Sequence, residues 1–234
     1  MVSRACFLPL LVAALVSVGA SVATGDPAPR VSSYFLARAD ARLCPSPACG
    51  GLWVTLVNAP GTRCGDGEVR TTCYAAEADL SRLSVREKDR GRLQRLIVAG
   101  RAVARGRLVG GRLPGFPELD VLVVSEVWTE SSSLARPRGV FRRLSDTGIR
   151  CVTVPCFWIG AAVLNTSRRV NVSDVDLGRA GAREREERRA LRAIPAAGLI
   201  AAGRIVREPN AGPAGTGRTF VATQFYVPAA AAKG

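Results

Sequence analysis

The sequence predicts an α+β protein made of two tandem β-β-β-α-β-β repeats, each an antiparallel sheet with one helix, stapled by disulfides. Three observations lead there. A set of landmarks occurs twice in the same order along the chain. Six cysteines remain once an N-terminal leader is set aside. In each half, β-branched and aromatic runs flank a single charged helical stretch.

The leader comes first. Arg4 supplies a positive start, Phe7 to Val18 is an uncharged apolar run, and Ser21-Val22-Ala23 offers small residues for cleavage after Ala23. The run is short for a transmembrane span and no second candidate follows, so 1–23 reads as a signal peptide and the mature chain as one without a transmembrane segment. Residues 24–33 form a mature N-terminal segment.

The first repeat, 34–128, opens with a strand at Tyr34 to Ala39, a cysteine loop and a strand at Gly51 to Val57. The second, 140–227, opens in the same way from Val140. Cys49 lies nine residues before Asn58, and Cys156 nine before Asn165. Glu77-Ala78-Asp79-Leu80 then matches Asp174-Val175-Asp176-Leu177. A third strand at Thr72 to Asp79 precedes a helix whose start reads as a capping box, Ser84-Val85-Arg86-Glu87, with Gly181-Ala182-Arg183-Glu184 as a weaker counterpart. Leu93, Leu96 and Ile97 share one helical face, as do Ala190, Leu191 and Ile194; Gly100 and Pro195 mark the helix ends. Val98-Ala99-Gly100-Arg101 is matched to Ala201-Ala202-Gly203-Arg204, each opening a further strand. Both halves close on an apolar strand, ending near Trp128 and Tyr226. Residues 129–139 read as a polar linker and 228–234 as a flexible tail.

The first half is ten residues longer between Asn58 and Glu77 than the second is between Asn165 and Asp174, and the extra segment carries Cys64 and Cys73. Two cysteines present together in one half and absent together from the other are best bonded to each other. Symmetry then pairs Cys44 with Cys49 and Cys151 with Cys156. Zinc is the competing reading, but C-x4-C spacing without any histidine does not suit it, and no metal or cofactor is expected. Each short loop closed by a disulfide contributes roughly 2–3 kcal/mol through lost chain entropy.

The formal net charge is +14, with 33 basic residues against 19 acidic ones, and Lys88 and Lys233 are the only lysines. The arginines are spread along the chain rather than gathered into a tract with aromatics, which suits an Arg- and Ala-rich composition better than specific nucleic-acid binding. The absence of histidine excludes His-based nucleophile activation and acid–base work, and no phosphate-cradling or dinucleotide fingerprint is present. The candidate chemistry is therefore the acid pairs Glu77/Asp79 and Asp174/Asp176. They would serve calcium binding or acid–base work if the halves brought them together, or, more simply, bond backbone amides at a strand-to-helix turn. Asn58 and Asn165 read as turn residues; Asn165-Thr-Ser and Asn171-Val-Ser match the glycosylation sequon. Trp53, Phe157 and Trp158 lie beside the cysteine loops, where they pack on the disulfides or present a partner surface.

The strand–Asp–C-x4-C–strand opening, together with Cys73-Tyr74-Ala75-Ala76-Glu77-Ala78-Asp79 and the closing strand, resembles a family of exported bacterial proteins known as a domain of unknown function, the one numbered 6748. The resemblance runs from Tyr34 to Tyr226. It implies export and this architecture and brings no activity. The sequence thus leads to a secreted or periplasmic, non-catalytic binding or structural module, whose partner would be the envelope, a glycan or a protein. The alternatives are a carboxylate-based hydrolase or calcium-dependent protein, and a basic polyanion binder.

Overall fold

The computed structural model describes residues 32–131 and 136–231, so the leader at 1–23, residues 24–31 of the N-terminal segment, residues 132–135 of the connection and the last three residues lie outside the described residues. The elements run β1 (Ser33–Ala39), β2 (Leu52–Leu56), β3 (Thr62–Arg63), β4 (Val69–Arg70), β5 (Cys73–Asp79), α1 (Glu87–Val98), β6 (Ala102–Val109), β7 (Asp120–Glu130), β8 (Val140–Asp146), β9 (Ile159–Val163), β10 (Arg169–Val172), β11 (Asp174–Asp176), a 3-10 turn (Gly178–Ala180), α2 (Glu184–Ala193), β12 (Leu199–Glu208) and β13 (Gly217–Ala231). Among the described residues eleven strands join in one sheet, and β3–β4 form a separate small hairpin.

Strand pairing follows a common pattern on the two sides of the connection. β1 pairs antiparallel with β2 and β6, and β6 with β7; β8 pairs antiparallel with β9 and β12, and β12 with β13. The sheet is not purely antiparallel, as the sequence led one to expect: β5 runs parallel to β7, and β11 parallel to β13. A helix and a strand intervene between the partners in each case, which is enough chain for a return in the same direction. In the first half the pairings β7–β6–β1–β2–β5–β7 close a ring of five strands. In the second, β13–β12–β8–β9–β10 and the adjoining β11 bring the chain back to β13.

β7 and β13 join the two halves. Each is long enough to pair with its parallel neighbour over one stretch and with the other long strand over the next, so Thr129 lies opposite Val227, and Glu130 opposite Tyr226. Thr129 and Glu130 thus end a strand, where the polar composition suggested linker. The alanine-rich end is also strand: β13 continues to Ala231, opposite Glu126. An alanine run carries no alternation to announce a strand, but the unpaired edge of β7 beyond β5 supplies the hydrogen-bonding partner.

Among the described residues, buried apolar side chains gather into three cores. Leu93 and Ile97 of α1 pack with Phe35, Leu52, Val54 and Leu122; Ala190 and Ile194 of α2 pack with Leu144, Ile159, Phe220 and Phe225. A third core, with Val57, Val103, Trp128, Phe141, Ile200 and Tyr226, lies between the halves and is built from both. Burial there raises the Tyr226 phenol above its ordinary pKa.

Both helix starts and one glycine match differ from the sequence expectation. The Ser84 capping box does not form: α1 starts at Glu87, preceded by extended Arg86. Leu80 and Leu83 are buried and the Leu83 amide bonds the Leu80 carbonyl, which closes a turn at 80–83 and leaves an irregular stretch before the helix. Likewise Gly181, in the left-handed region, ends the 3-10 turn rather than capping α2, where the Arg183 amide donates to Glu186 at 3.0 Å. The match of Gly100 with Gly203 also fails. Gly100 turns the chain after α1 at φ 70°, a role that falls to Gly198 at φ 85° after α2. Gly203 lies inside β12 at a bulge, where a Cβ would collide with the Val221 carbonyl, as one on Gly106 would with that of Val123.

Candidate functional site

The cysteines form Cys44–Cys49, Cys64–Cys73 and Cys151–Cys156, each within its own half, with Cα separations of 5.4, 5.5 and 5.6 Å. Among the described residues one group of potential metal ligands, Cys64, Cys73 and Asp120, comes close together, and its two sulfurs are bonded to each other. Asp120 accepts the Gly65 amide at 2.8 Å, and burial raises its carboxyl above the usual range.

The four acids singled out from the sequence lie in β5 and β11, with Asp79 and Asp176 at the strand ends. Asp79 accepts the Ser81 amide and Asp176 the Gly178 amide, both at 2.9 Å, which are Asx turns closing the ends of β5 and β11. Hydrogen bonding from Ser81 holds the Asp79 carboxyl below the ordinary range, and Arg112 adds to this from 3.6 Å. Asp174 accepts the Val175 amide, and Glu77 is exposed. The pairs do not converge. Asp79 lies beside Val123 on β7 and Asp176 beside Val221 on β13, at the two outer ends of the joined strands. The path between them along the strands is roughly 40 Å at about 3.3 Å per residue.

Asn58 and Asn165 do more than turn the chain. Both adopt the left-handed region, at φ 59° and 60°. Asn58 donates to the Phe141 and Leu164 carbonyls at 2.8 and 3.2 Å and accepts the Phe141 amide at 2.9 Å. Asn165 donates to the Tyr34 and Val57 carbonyls at 2.8 and 2.9 Å and accepts the Tyr34 amide at 2.8 Å. Each half thus ties down the other with a side chain that imitates a backbone pair. Asn165 is committed to this contact, which argues against its sequon being an acceptor.

The geometry that does bring the halves to one place is a groove of about 410 Å³ over the β7–β13 seam. Its floor is Thr129, Glu130, Val227 and Pro228; α1 gives it Asp89 and Arg92, and α2 gives it Glu186 and Arg189. Its acids are already engaged: Asp89 with Arg86 at 2.8 Å, Glu130 with Arg101, and Glu186 with the Arg183 amide. Arg92 and Arg189 are exposed and have no hydrogen-bond or ion-pair partner among the described residues. The arrangement therefore presents two uncommitted guanidinium groups, each a fork of donors suited to carboxylate, sulfate or phosphate oxygens. Sequence reading passed over them, although Asp89-x-x-Arg92 and Glu186-x-x-Arg189 share one spacing at the start of each helix.

No helix among the described residues is long and apolar enough to cross a membrane. No curated protein and no solved structure matches the chain. The family described as "Domain of unknown function (DUF6748)" matches over residues 33–232, nearly all of the described body, and the chain belongs to that family.

Proposed function

We propose that this chain is an exported, non-catalytic binding module, formed by tandem copies of one β-β-β-α-β-β unit, whose ligand is anionic and sits in the groove over the β7–β13 seam. The observation that carries the reading is the pair of uncommitted arginines, Arg92 and Arg189, one from each half, facing a shared groove. Duplication accounts for this economically, since two copies of one helix around a common axis deliver the same residue twice. The reciprocal bonds of Asn58 and Asn165 and the matched bulges at Gly106 and Gly203 support duplication in the same way. Three disulfides suit a compartment outside the reducing cytoplasm. The hydrolase alternative is disfavoured by acids that lie at separate strand ends and are used in turns.

A heparin oligosaccharide serves as an anionic probe. Binding to the full chain, followed by calorimetry, should weaken about tenfold or more in Arg92→Ala/Arg189→Ala, with each single variant intermediate. Arg38→Ala, on an exposed residue at the outer end of β1, should bind as the native chain does. Equal binding by the double variant and the native chain would remove the groove from consideration and leave only diffuse charge attraction.

A further inference from the structure

The loop closed by Cys151–Cys156 carries a cluster of apolar side chains with no cover. Val152 is fully exposed, Val154 is 58% exposed and Ile149 42% exposed, so three of the large hydrophobic residues left in solvent lie within six positions. A mobile loop could fold such residues away, but this one is braced. The disulfide closes it; the Thr147 amide and hydroxyl both bond the Trp158 carbonyl, at 2.9 and 2.8 Å; and the Ala214 amide bonds the Val154 carbonyl at 2.9 Å. The side chains are held outward, and little ordering entropy remains to be lost when they are covered.

We propose that this loop is a membrane-contact tip that seats Val152, Val154 and Ile149 at the boundary between headgroups and acyl chains of an anionic phospholipid surface. Protruding apolar knobs need a partner that yields, and the interface of a bilayer does so. The charge around the loop is complementary to such a surface. Arg150 is at the tip with a 70% exposed side chain, Arg218 lies over Phe157 at 5.3 Å, and Arg207 stands across from Arg218 on β12. Against them stand Asp146, which Arg150 already binds at 2.7 Å, and Glu208. The chain as a whole carries +14, which draws it to an anionic leaflet before the tip makes contact.

Flotation of the full chain with phosphatidylcholine vesicles, made with and without phosphatidylglycerol, tests this. The chain should float with the anionic vesicles and stay behind with the zwitterionic ones. Val152→Asp and Val154→Asp should each lower the floated fraction about tenfold, the effect of one valine side chain kept from apolar surroundings. Leu43→Asp, altering an equally exposed residue in the other cysteine loop, should float like the native chain. All three positions are at the surface, so thermal unfolding should match that of the native chain and separate lost binding from lost folding. The proposal is overturned by failure to float, by full flotation of both valine variants, or by a loss in Leu43→Asp as large as theirs.

Discussion

The two C-x4-C loops share a covalent staple and differ in what they do with the aromatic residue beside it. In the loop of Cys44–Cys49, Arg42 lies 4.8 Å over the Trp53 ring and 5.1 Å over that of Tyr74, and Asp40 grips both the guanidinium and the Trp53 indole. Tyr74 then reaches from β5 to the Pro47 carbonyl at 2.7 Å. The loop is wrapped on its own cation, and Leu43 alone of its large apolar side chains stands out. In the loop of Cys151–Cys156 the corresponding arginine, Arg150, turns out to Asp146, and Trp158 instead lines an open cavity of about 460 Å³ with Ile149 and Pro195. The same staple therefore supports a self-covered loop in one half and an open, apolar one in the other. Pairs such as Asn58 and Asn165, which are alike in both halves, tie the halves together, whereas the two cysteine loops differ in what covers them.

The largest expected effect comes from a feature found in one half only. Cys64–Cys73 is buried in the core of the first half, so Cys64→Ala/Cys73→Ala loses both loop closure and packing. It should lower stability by about 3–5 kcal/mol, read as a shift in the urea midpoint. Cys151→Ala/Cys156→Ala, which frees an exposed loop, should cost nearer 2 kcal/mol. If the two double variants cost the same, burial does not distinguish these bridges.

The next effect should be equal in the two halves. Asn58→Ala and Asn165→Ala each remove three hydrogen bonds across the junction and leave alanine in the left-handed region. Each should cost about 2–3 kcal/mol, measured by chemical denaturation. Unequal costs would mean that one tie dominates and that the junction is asymmetric despite its geometry.

These ties also show what a sequence can and cannot convey. The strands around each cysteine loop were legible because Trp53 to Val57 and Ile159 to Val163 carry the β-branched and apolar content a half-buried strand needs. The disulfide pairing was legible because Cys64 and Cys73 belong to one insert. The reach of Asn58 to Phe141 was not, because a side-chain bond spanning 83 residues leaves no local pattern. The β-structure at Pro228 to Ala231 was hidden for a related reason: its partner edge, on β7, creates the strand. The groove arginines sat in plain view among many others, and only the placement of α1 and α2 on either side of one seam separates them from the rest.

Acid should probe the two loops together. The Asp40 carboxyl is held down to about 2 by hydrogen bonding from Arg42, and the Asp146 carboxyl to about 2 by Arg150, against an ordinary 3.8. Both are depressed in the fold, so their contribution is complete above pH 3.8 and is lost as pH falls through about 2. Thermal midpoints recorded across that window should fall less steeply in Asp40→Asn and in Asp146→Asn than in the native chain. The Asp40 variant should also shift Trp53 emission at neutral pH, because that indole loses its charged acceptor. An unchanged acid limb in both variants would mean that other carboxylates govern it.

The smallest expected effect is on the most exposed residue. Val152 touches no core, so Val152→Ser should change stability by less than about 0.5 kcal/mol in either direction. Trp53→Ala, in the wrapped loop, removes a ring that stacks on Arg42 and meets Tyr74 edge-on at 5.6 Å, and should cost several times as much. Differential scanning calorimetry resolves the two. A nearly silent Val152 beside a costly Trp53 would mean that the open loop keeps its apolar side chains for something other than holding the fold. A costly Val152 would mean that the loop is part of the fold's own packing, and the contrast between the two loops would disappear.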